Sequence, residues 1–271
     1  MTPLKIGACL KHDEIAAHRD WLFDQARDIE LQDFMSHAAL NEELADRIVS
    51  ATAALDGHTG RVGIHGPFEG LDIDNKDAEL RPLITARFLA ALEAADQVGE
   101  RQMVMHSPFT LWYQNNIHSF EGYAEKKLGR IHDVLGPVVT RGEALGITLV
   151  IENIQDVRPE TRRAMVDSFG SRAIALSIDT EHAQLARRML APRLWRISWR
   201  MHGAQLAHVH LQDVDGHADR RWAPGDGEIE WPAVFRALAK CQNVPHLVLQ
   251  LRDKNQIPAG FAYLRDAGLA C

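Results

Sequence analysis

Cysteine is scarce in this chain. Only Cys9, Cys241 and Cys271 occur in 271 residues, widely spaced and with no CxxC pair. An odd, scattered set excludes a disulfide framework or a cysteine-rich zinc site as the organising element. Long apolar runs are missing too. No stretch approaches the roughly 18 residues of a membrane-spanning helix, and the opening MTPLKIGACLKHDEI carries charge too early for a secretory signal. Excess positive charge is absent, since 30 Lys and Arg stand against 37 Asp and Glu for a formal net charge of -7. A surface that holds nucleic acid needs clustered Lys and Arg, so that partner is not expected. There is no Pro-, Gly- or Ser-rich linker, no low-complexity tract and no GxGxxG after the first apolar run. The expectation is a single domain over residues 1–271, in a reducing cytoplasm, with no membrane partner.

What the chain does have is a series of short Val-, Ile- and Leu-rich runs that stop at metal-capable residues. They read VGIHGPF (His65), MVMHSPF (His106), TLVIEN (Glu152), IALSID (Asp179), LAHVHLQD (His208, His210, Asp213) and HLVLQLRD (Gln250, Asp253). Buried parallel strands look like this. Eight strand candidates emerge: Lys5–Leu10, Ile29–Phe34, Val62–Pro67, Gln102–Ser107, Thr148–Asn153, Ile174–Asp179, Leu206–Asp213 and His246–Leu251. Segments with three- and four-residue apolar spacing separate them, among them Asp13–Asp28, Leu80–Val98 and Tyr123–Leu145. Pro159 and Pro232 suit helix starts, and Gly146 suits a helix end. Strand–helix alternation repeated eight times predicts parallel strands joined by right-handed crossovers. The expected fold class is α/β, a single (β/α)8 TIM barrel, with an open doubly wound sheet as the alternative.

In such a barrel the chemistry sits at the carboxyl ends of the strands. Alternate strand residues share a face, so His210 at the mouth puts His208 one layer down, as a satisfied interior histidine. The same spacing pairs Val150 with Glu152, Ser177 with Asp179 and Val248 with Gln250. A carboxylate at that depth needs a partner, because desolvating it alone is very costly. A divalent cation supplies one, and an ion-paired mouth using Arg221 or Arg252 is the metal-free alternative. Glu152, Asp179 and His210 form a mixed O/N set suited to Mn²⁺, Zn²⁺, Mg²⁺ or Co²⁺, and imidazole tilts the choice away from Ca²⁺. His182, three residues past Asp179, falls on the first turn of the next helix as a further ligand or substrate contact. His18, His58, His118, His132, His202, His217 and His246 lack strand-end context and read as surface or loop residues. Two connections are long. Residues 107–120 carry Phe109, Trp112 and Tyr113, which suit either a lid over the mouth or a cover for the barrel edge. Residues 214–230 carry WAPGDGEIE.

The series IHGPF, MHSPF, VIEN, SIDTEH, HVHLQD and PGDGEIEW resembles the xylose-isomerase-like barrel superfamily over nearly the whole chain. That group holds sugar isomerases and epimerases, inosose dehydratases, hydroxypyruvate isomerases and the endonuclease IV type of apurinic endonuclease. Likeness to the epimerase branch implies one metal on Glu152, Asp179, His210 and Gln250, with Glu152 and Gln250 at the two acid/base positions. Gln250 departs from the branch, which has Glu there. An amide can coordinate through its carbonyl oxygen but cannot take a proton, so a two-base mechanism is in doubt. Likeness to the endonuclease branch implies a first metal on His65, His106 and Glu152 and a third on His182 and Asp219. Arg221 stands where that branch has a His ligand, and a guanidinium does not bind a cation. The third metal and DNA repair are therefore not expected. Arg221 suits an anionic or polarised oxygen of a small substrate instead.

The leading expectation is a metal-dependent isomerase or epimerase of a small sugar or polyol carbonyl compound, in carbohydrate metabolism, working by proton transfer through a metal-stabilised enediolate. One divalent ion is expected, Mn²⁺ or Zn²⁺ first and Mg²⁺ or Co²⁺ after them. Catalytic candidates are Glu152, His182 and Gln250. Substrate-binding candidates are His65, His106, Trp112 and Arg221, and His65 and His106 also suit a second metal. The rival readings are a metal-dependent lyase or hydrolase and a catalytically degenerate sugar-binding barrel. A homo-oligomer is compatible with the exposed outer helices of such a barrel.

Overall fold

A computed structural model describes residues 4–190 and 205–271 of the chain. Eight parallel strands close in sequence order, β8 returning to β1. They are β1 Gly7–Leu10, β2 Ile29–Leu31, β3 Val62–His65, β4 Gln102–His106, β5 Thr148–Glu152, β6 Ile174–Asp179, β7 Leu206–Leu211 and β8 His246–Leu249. The helices outside the barrel include α1 Arg19–Phe23, α2 His37–Asn41, α3 Leu44–Ala54, α4 Arg81–Val98, α5 Leu111–Asn116, α6 Tyr123–Leu145, α7 Pro159–Ser168, α8 Thr180–Leu190, α9 Trp231–Leu238 and α10 Ile257–Asp266. This is the expected (β/α)8 barrel. Each expected strand overlaps an observed one, and all but β6 are observed shorter, by one to three residues.

Strand alternation splits each strand into two sets. One set, including Ala8, Leu31, Ile64, Met103, Leu149, Ile151, Ile178, Val209 and Leu249, belongs to the buried hydrophobic cluster that also takes in helix residues such as Phe88, Leu92, Ile131, Leu135, Val234 and Phe235. The main core therefore lies between barrel and helices. The other set includes Cys9, Glu30, His65, His106, Glu152, Ser177, Asp179, His208 and His210, so the interior is lined by polar and titratable groups. Gly7 is required by packing at the sheet, since a Cβ there would lie 1.6 Å from the Asp28 carbonyl oxygen.

Helix boundaries follow local chemistry. Pro159 and Pro232 stand in the first turns of α7 and α9, where a missing N–H removes no intrahelical bond. Gly146 closes α6 with φ 68°, a left-handed conformation that suits glycine. The expected helix over 13–28 is broken instead. A 3-10 turn, Ile15–His18, leads into α1, and Ala26 takes φ 47°. That reversal lets Arg27 N–H bond the Leu22 carbonyl while its guanidinium bonds the carbonyls of Ile6 and Cys271. Fastening the barrel floor outweighs helix continuation here.

Candidate metal centre and substrate mouth

Glu152 ends β5, Asp179 ends β6 and His210 lies on β7, with Asp179 and His210 opposite one another in the ladder. All three are buried. His210 Nδ1 lies 2.8 Å from Glu152 Oε1 and 3.9 Å from Asp179 Oδ2. Glu152 Oε2 is buried with no hydrogen-bond partner and stands 3.7 Å from His65 Nε2 and 3.7 Å from His106 Nε2. Among the described residues two triads of converging ligand atoms share Glu152, His65–His106–Glu152 and Glu152–Asp179–His182, and a third, Cys9–Glu30–His210, does not include it. Four of the expected strand ends are therefore brought together. An orphaned carboxylate oxygen among imidazole nitrogens is a donor set that fits a divalent cation.

Neighbours hold these groups in orientation. His65 Nδ1 lies 2.9 Å from the Gly66 carbonyl oxygen, so Nδ1 carries the proton and Nε2 presents its lone pair to the Glu152 side. Asn153 Oδ1 accepts from Asp179 N–H at 2.8 Å and its Nδ2 donates to the Asp179 carbonyl at 3.1 Å. Asp179 Oδ1 accepts the His182 N–H at 2.7 Å, capping the first turn of α8, and Oδ2 accepts from Gln212 Nε2 at 2.5 Å. His182 Nδ1 lies 3.0 Å from the Asn153 carbonyl oxygen. Gln250 follows β8, buried, on the same strand face as Val248.

Charge balance at the mouth is tight. Burial alone raises the Glu152 carboxyl, but the His210 charge and hydrogen bond, with His65 and His106 beside it, hold it well below the usual carboxylate range. Burial works against a protonated His210, yet Glu30 and Glu152 outweigh it and hold that imidazole well above its ordinary value. Asp179 is raised, by burial first. His106 is pushed down to about 3 by burial, which outweighs Glu152. His182 is raised because Asp179, Glu152 and Asp219 overcome burial.

Arg221 sits in the long connection after β7 with φ 52°. Its N–H donates to Glu181 Oε2 at 2.8 Å, and the Arg220 N–H donates to Glu181 Oε1. Its Nε lies 3.2 Å from Asp219 Oδ1. Burial disfavours the guanidinium charge, but Asp219 first, then Asp179 and Glu152, more than offset this, so the guanidinium keeps its charge. Arg252 bonds the Asp219 carbonyl. A hollow of about 180 Å³ opens beside His106, lined by Phe68, Leu71, Ile73 and Phe109, and Phe68 stacks on His106 at 4.3 Å. Trp112 lies elsewhere. It is 57% exposed and lines a separate hollow with Phe120, Tyr123, Lys76 and Lys126.

Several residues have places the sequence did not suggest. Asp213, a strand-end ligand candidate, is instead a loop organiser. Oδ1 accepts N–H groups from Val214 and Ile229, and Oδ2 accepts from Gly225 N–H and Trp231 Nε1, at 2.8–3.0 Å. Asp253 caps a short 3-10 turn. His246 is not a surface histidine. It opens β8 with its ring 6.5 Å from that of His208, and burial pushes it down to about 3. His202 lies outside the described residues. Glu30 on β2 was overlooked altogether. It is buried, with its oxygens 3.0 and 3.1 Å from His210 Nε2. Its strand is expected over Ile29–Phe34, but Glu30 stands second in it, in DIELQD, away from the strand ends where the ligand candidates fall. His208, read as interior, bonds Ser177 Oγ at 2.8 Å.

Comparison with known proteins agrees with this fold. A protein of Methanocaldococcus jannaschii described as uncharacterised is 24% identical over 193 residues, 68% of this chain and 61% of that protein. The chain thus spans less than two thirds of the length of that relative. The structure of a D-tagatose 3-epimerase-like protein superposes with TM-score 0.77 at 19% identity, covering 97% of this chain and 96% of that one. The 3-keto-D-glucoside 4-epimerase of E. coli superposes with TM-score 0.72 at 18% identity, covering 97% and 99%. The family described as xylose isomerase-like TIM barrel matches residues 23–267. With most of its length matched to that family and its strands closed in that order, the chain belongs to the xylose isomerase-like TIM barrel family.

Proposed function

We propose that the protein is a divalent-metal-dependent isomerase or epimerase of a small sugar or polyol carbonyl compound. The observation that carries this reading is Glu152, whose Oε2 is buried without a hydrogen-bond partner between two imidazole nitrogens while Oε1 is held by His210. Glu152, Asp179, His210 and Gln250 would hold the metal, Mn²⁺ or Zn²⁺ by donor type. Bound there, the ion supplies a Lewis acid that lowers the cost of negative charge on a substrate carbonyl oxygen.

The remaining chemistry belongs to the chain's own residues. Glu152 takes the proton from the carbon beside the carbonyl as that C–H bond breaks, and returns it as the product C–H bond forms. Gln250 takes no proton, so the one carboxylate serves both halves of a same-face transfer, from the carbon beside the carbonyl to the former carbonyl carbon. This is the isomerase form of the reaction, and inversion at a single carbon would need a donor on the other face. His182, tied at Nδ1 to the Asn153 carbonyl, uses Nε2 to hold or move a hydroxyl proton. Arg221, fixed through the Glu181 clamp, holds a substrate oxygen. Phe68 and Phe109 exclude water from the apolar side of the hollow beside His106. The expected result is loss of the carbon-bound proton beside the carbonyl when metal-loaded protein meets a ketose panel in D₂O, read by proton NMR. Glu152→Gln lowers that rate by about 10²–10⁴-fold. Full turnover in the variant would contradict the assignment.

A second reading, a metal-dependent lyase or hydrolase, draws on the His65–His106–Glu152 triad, whose ligand atoms, like those of Glu152–Asp179–His182, all lie within 4.8 Å of one another. Two metals sharing Glu152 would activate water for attack. Two tightly held equivalents per chain would favour it over the isomerase.

A further inference from the structure

We infer that Glu30 is a positioning residue for His210, fixing which of its ring nitrogens faces the metal. The inference rests on the reading of His210 as a metal ligand. An imidazole ligand presents a lone pair from one nitrogen and carries its proton on the other, and a buried N–H without an acceptor is strongly unfavourable. His210 Nδ1 is the nitrogen on the Glu152 and Asp179 side, so Nε2 carries the proton. Both Glu30 oxygens lie within hydrogen-bond reach of Nε2, at 3.0 and 3.1 Å. The two ring nitrogens thus face carboxylates from two strands, Glu152 of β5 at Nδ1 and Glu30 of β2 at Nε2.

Glu30 also lies against His208. His208 Nε2 stands 3.0 Å from Glu30 Oε2 without the alignment of a hydrogen bond, and His208 Nδ1 lies 2.8 Å from Ser177 Oγ. Ser177 stands two residues before Asp179 on β6, so one polar ladder links Glu30 on β2 to the strands of two proposed ligands. Glu30, His208 and Ser177 are at most 2% exposed, and none of them reaches the open mouth. A carboxylate at that depth is costly to bury, and packing alone would favour an apolar residue. Orienting an imidazole ligand and raising its basicity is what such an outer carboxylate does.

The test compares wild type with Glu30→Gln and Glu30→Met after dialysis against chelator. Binding of Mn²⁺ and Zn²⁺ is measured by calorimetric titration, and thermal unfolding of the metal-free proteins checks the fold. The inference predicts one equivalent in wild type and a loss of affinity of about 10- to 100-fold in Glu30→Met. Glu30→Gln, whose amide oxygen still accepts from Nε2, is weakened less, a graded rescue that loss of packing would not produce. If the Met variant does not fold, the Gln variant decides: affinity below wild type supports the role, and unchanged affinity overturns it. Equal affinity in all three proteins overturns it, as does a second wild-type equivalent lost with Glu30, which would make Glu30 a ligand. A wild-type chain that takes up neither metal overturns the reading of the site and this role with it.

Discussion

The state of each histidine is set by which carboxylate it meets. His210 meets Glu30 and Glu152 and is held well above its ordinary range, whereas His246 lies near Arg61 and His208 and is pushed down to about 3, chiefly by burial. For His246 the unfolded chain binds a proton below about pH 6.5 that the folded chain refuses until about pH 3. Its contribution therefore destabilises the fold progressively as pH falls through that window, and the slope has the sign of stability rising with pH. His246→Asn is expected to flatten the acid limb of metal-free stability, measured by urea unfolding between pH 6 and pH 4, by at most about 1.4 kcal/mol per pH unit. An unchanged acid limb would show that His246 titrates normally. The strand-end ligands were legible because each closes an apolar run. Glu30 was not, because it lies within the expected strand Ile29–Phe34 and closes no apolar run. Gln212 was not, because nothing in a sequence shows that its amide donates to Asp179.

At the scale of elements, barrel strands and long helices follow from periodicity, while loops follow from side-chain anchors that periodicity does not report. Residues 107–120, read as a loop, contain α5, which starts where Thr110 Oγ1 accepts the Tyr113 N–H. The connection after β7 is organised by Asp213, whose four bonds tie residues 214, 225, 229 and 231 to the strand end. Asp213→Ala orphans those donors, and each buried unpaired donor costs about 1–3 kcal/mol. The variant is expected to lose at least about 3 kcal/mol in urea unfolding and to disorder the segment that carries Arg221. A variant as stable as wild type would show that the loop holds itself. Glu181→Gln leaves one carbonyl oxygen for the two N–H groups of Arg220 and Arg221. With the Arg221 clamp loosened, KM is expected to rise more than kcat falls, read from steady-state kinetics on a ketose that the wild type turns over.

For the whole molecule, the closed ladder gives a rigid frame whose apolar core lies outside the barrel, leaving the interior for titratable groups. No helix among the described residues is long and apolar enough to cross a membrane. Carboxylates drawn together at one mouth repel one another, and a cation bound only by the folded chain stabilises it by mass action. At a free metal concentration about 100 times Kd, that stabilisation is about 2.7 kcal/mol. The central claim is that these strand ends hold a metal. Its most direct test is elemental analysis of protein purified without chelator and re-equilibrated with Mn²⁺ or Zn²⁺, beside Glu152→Ala. The account predicts about one equivalent in wild type and none in the variant. Wild-type protein that retains no metal after re-equilibration would contradict it.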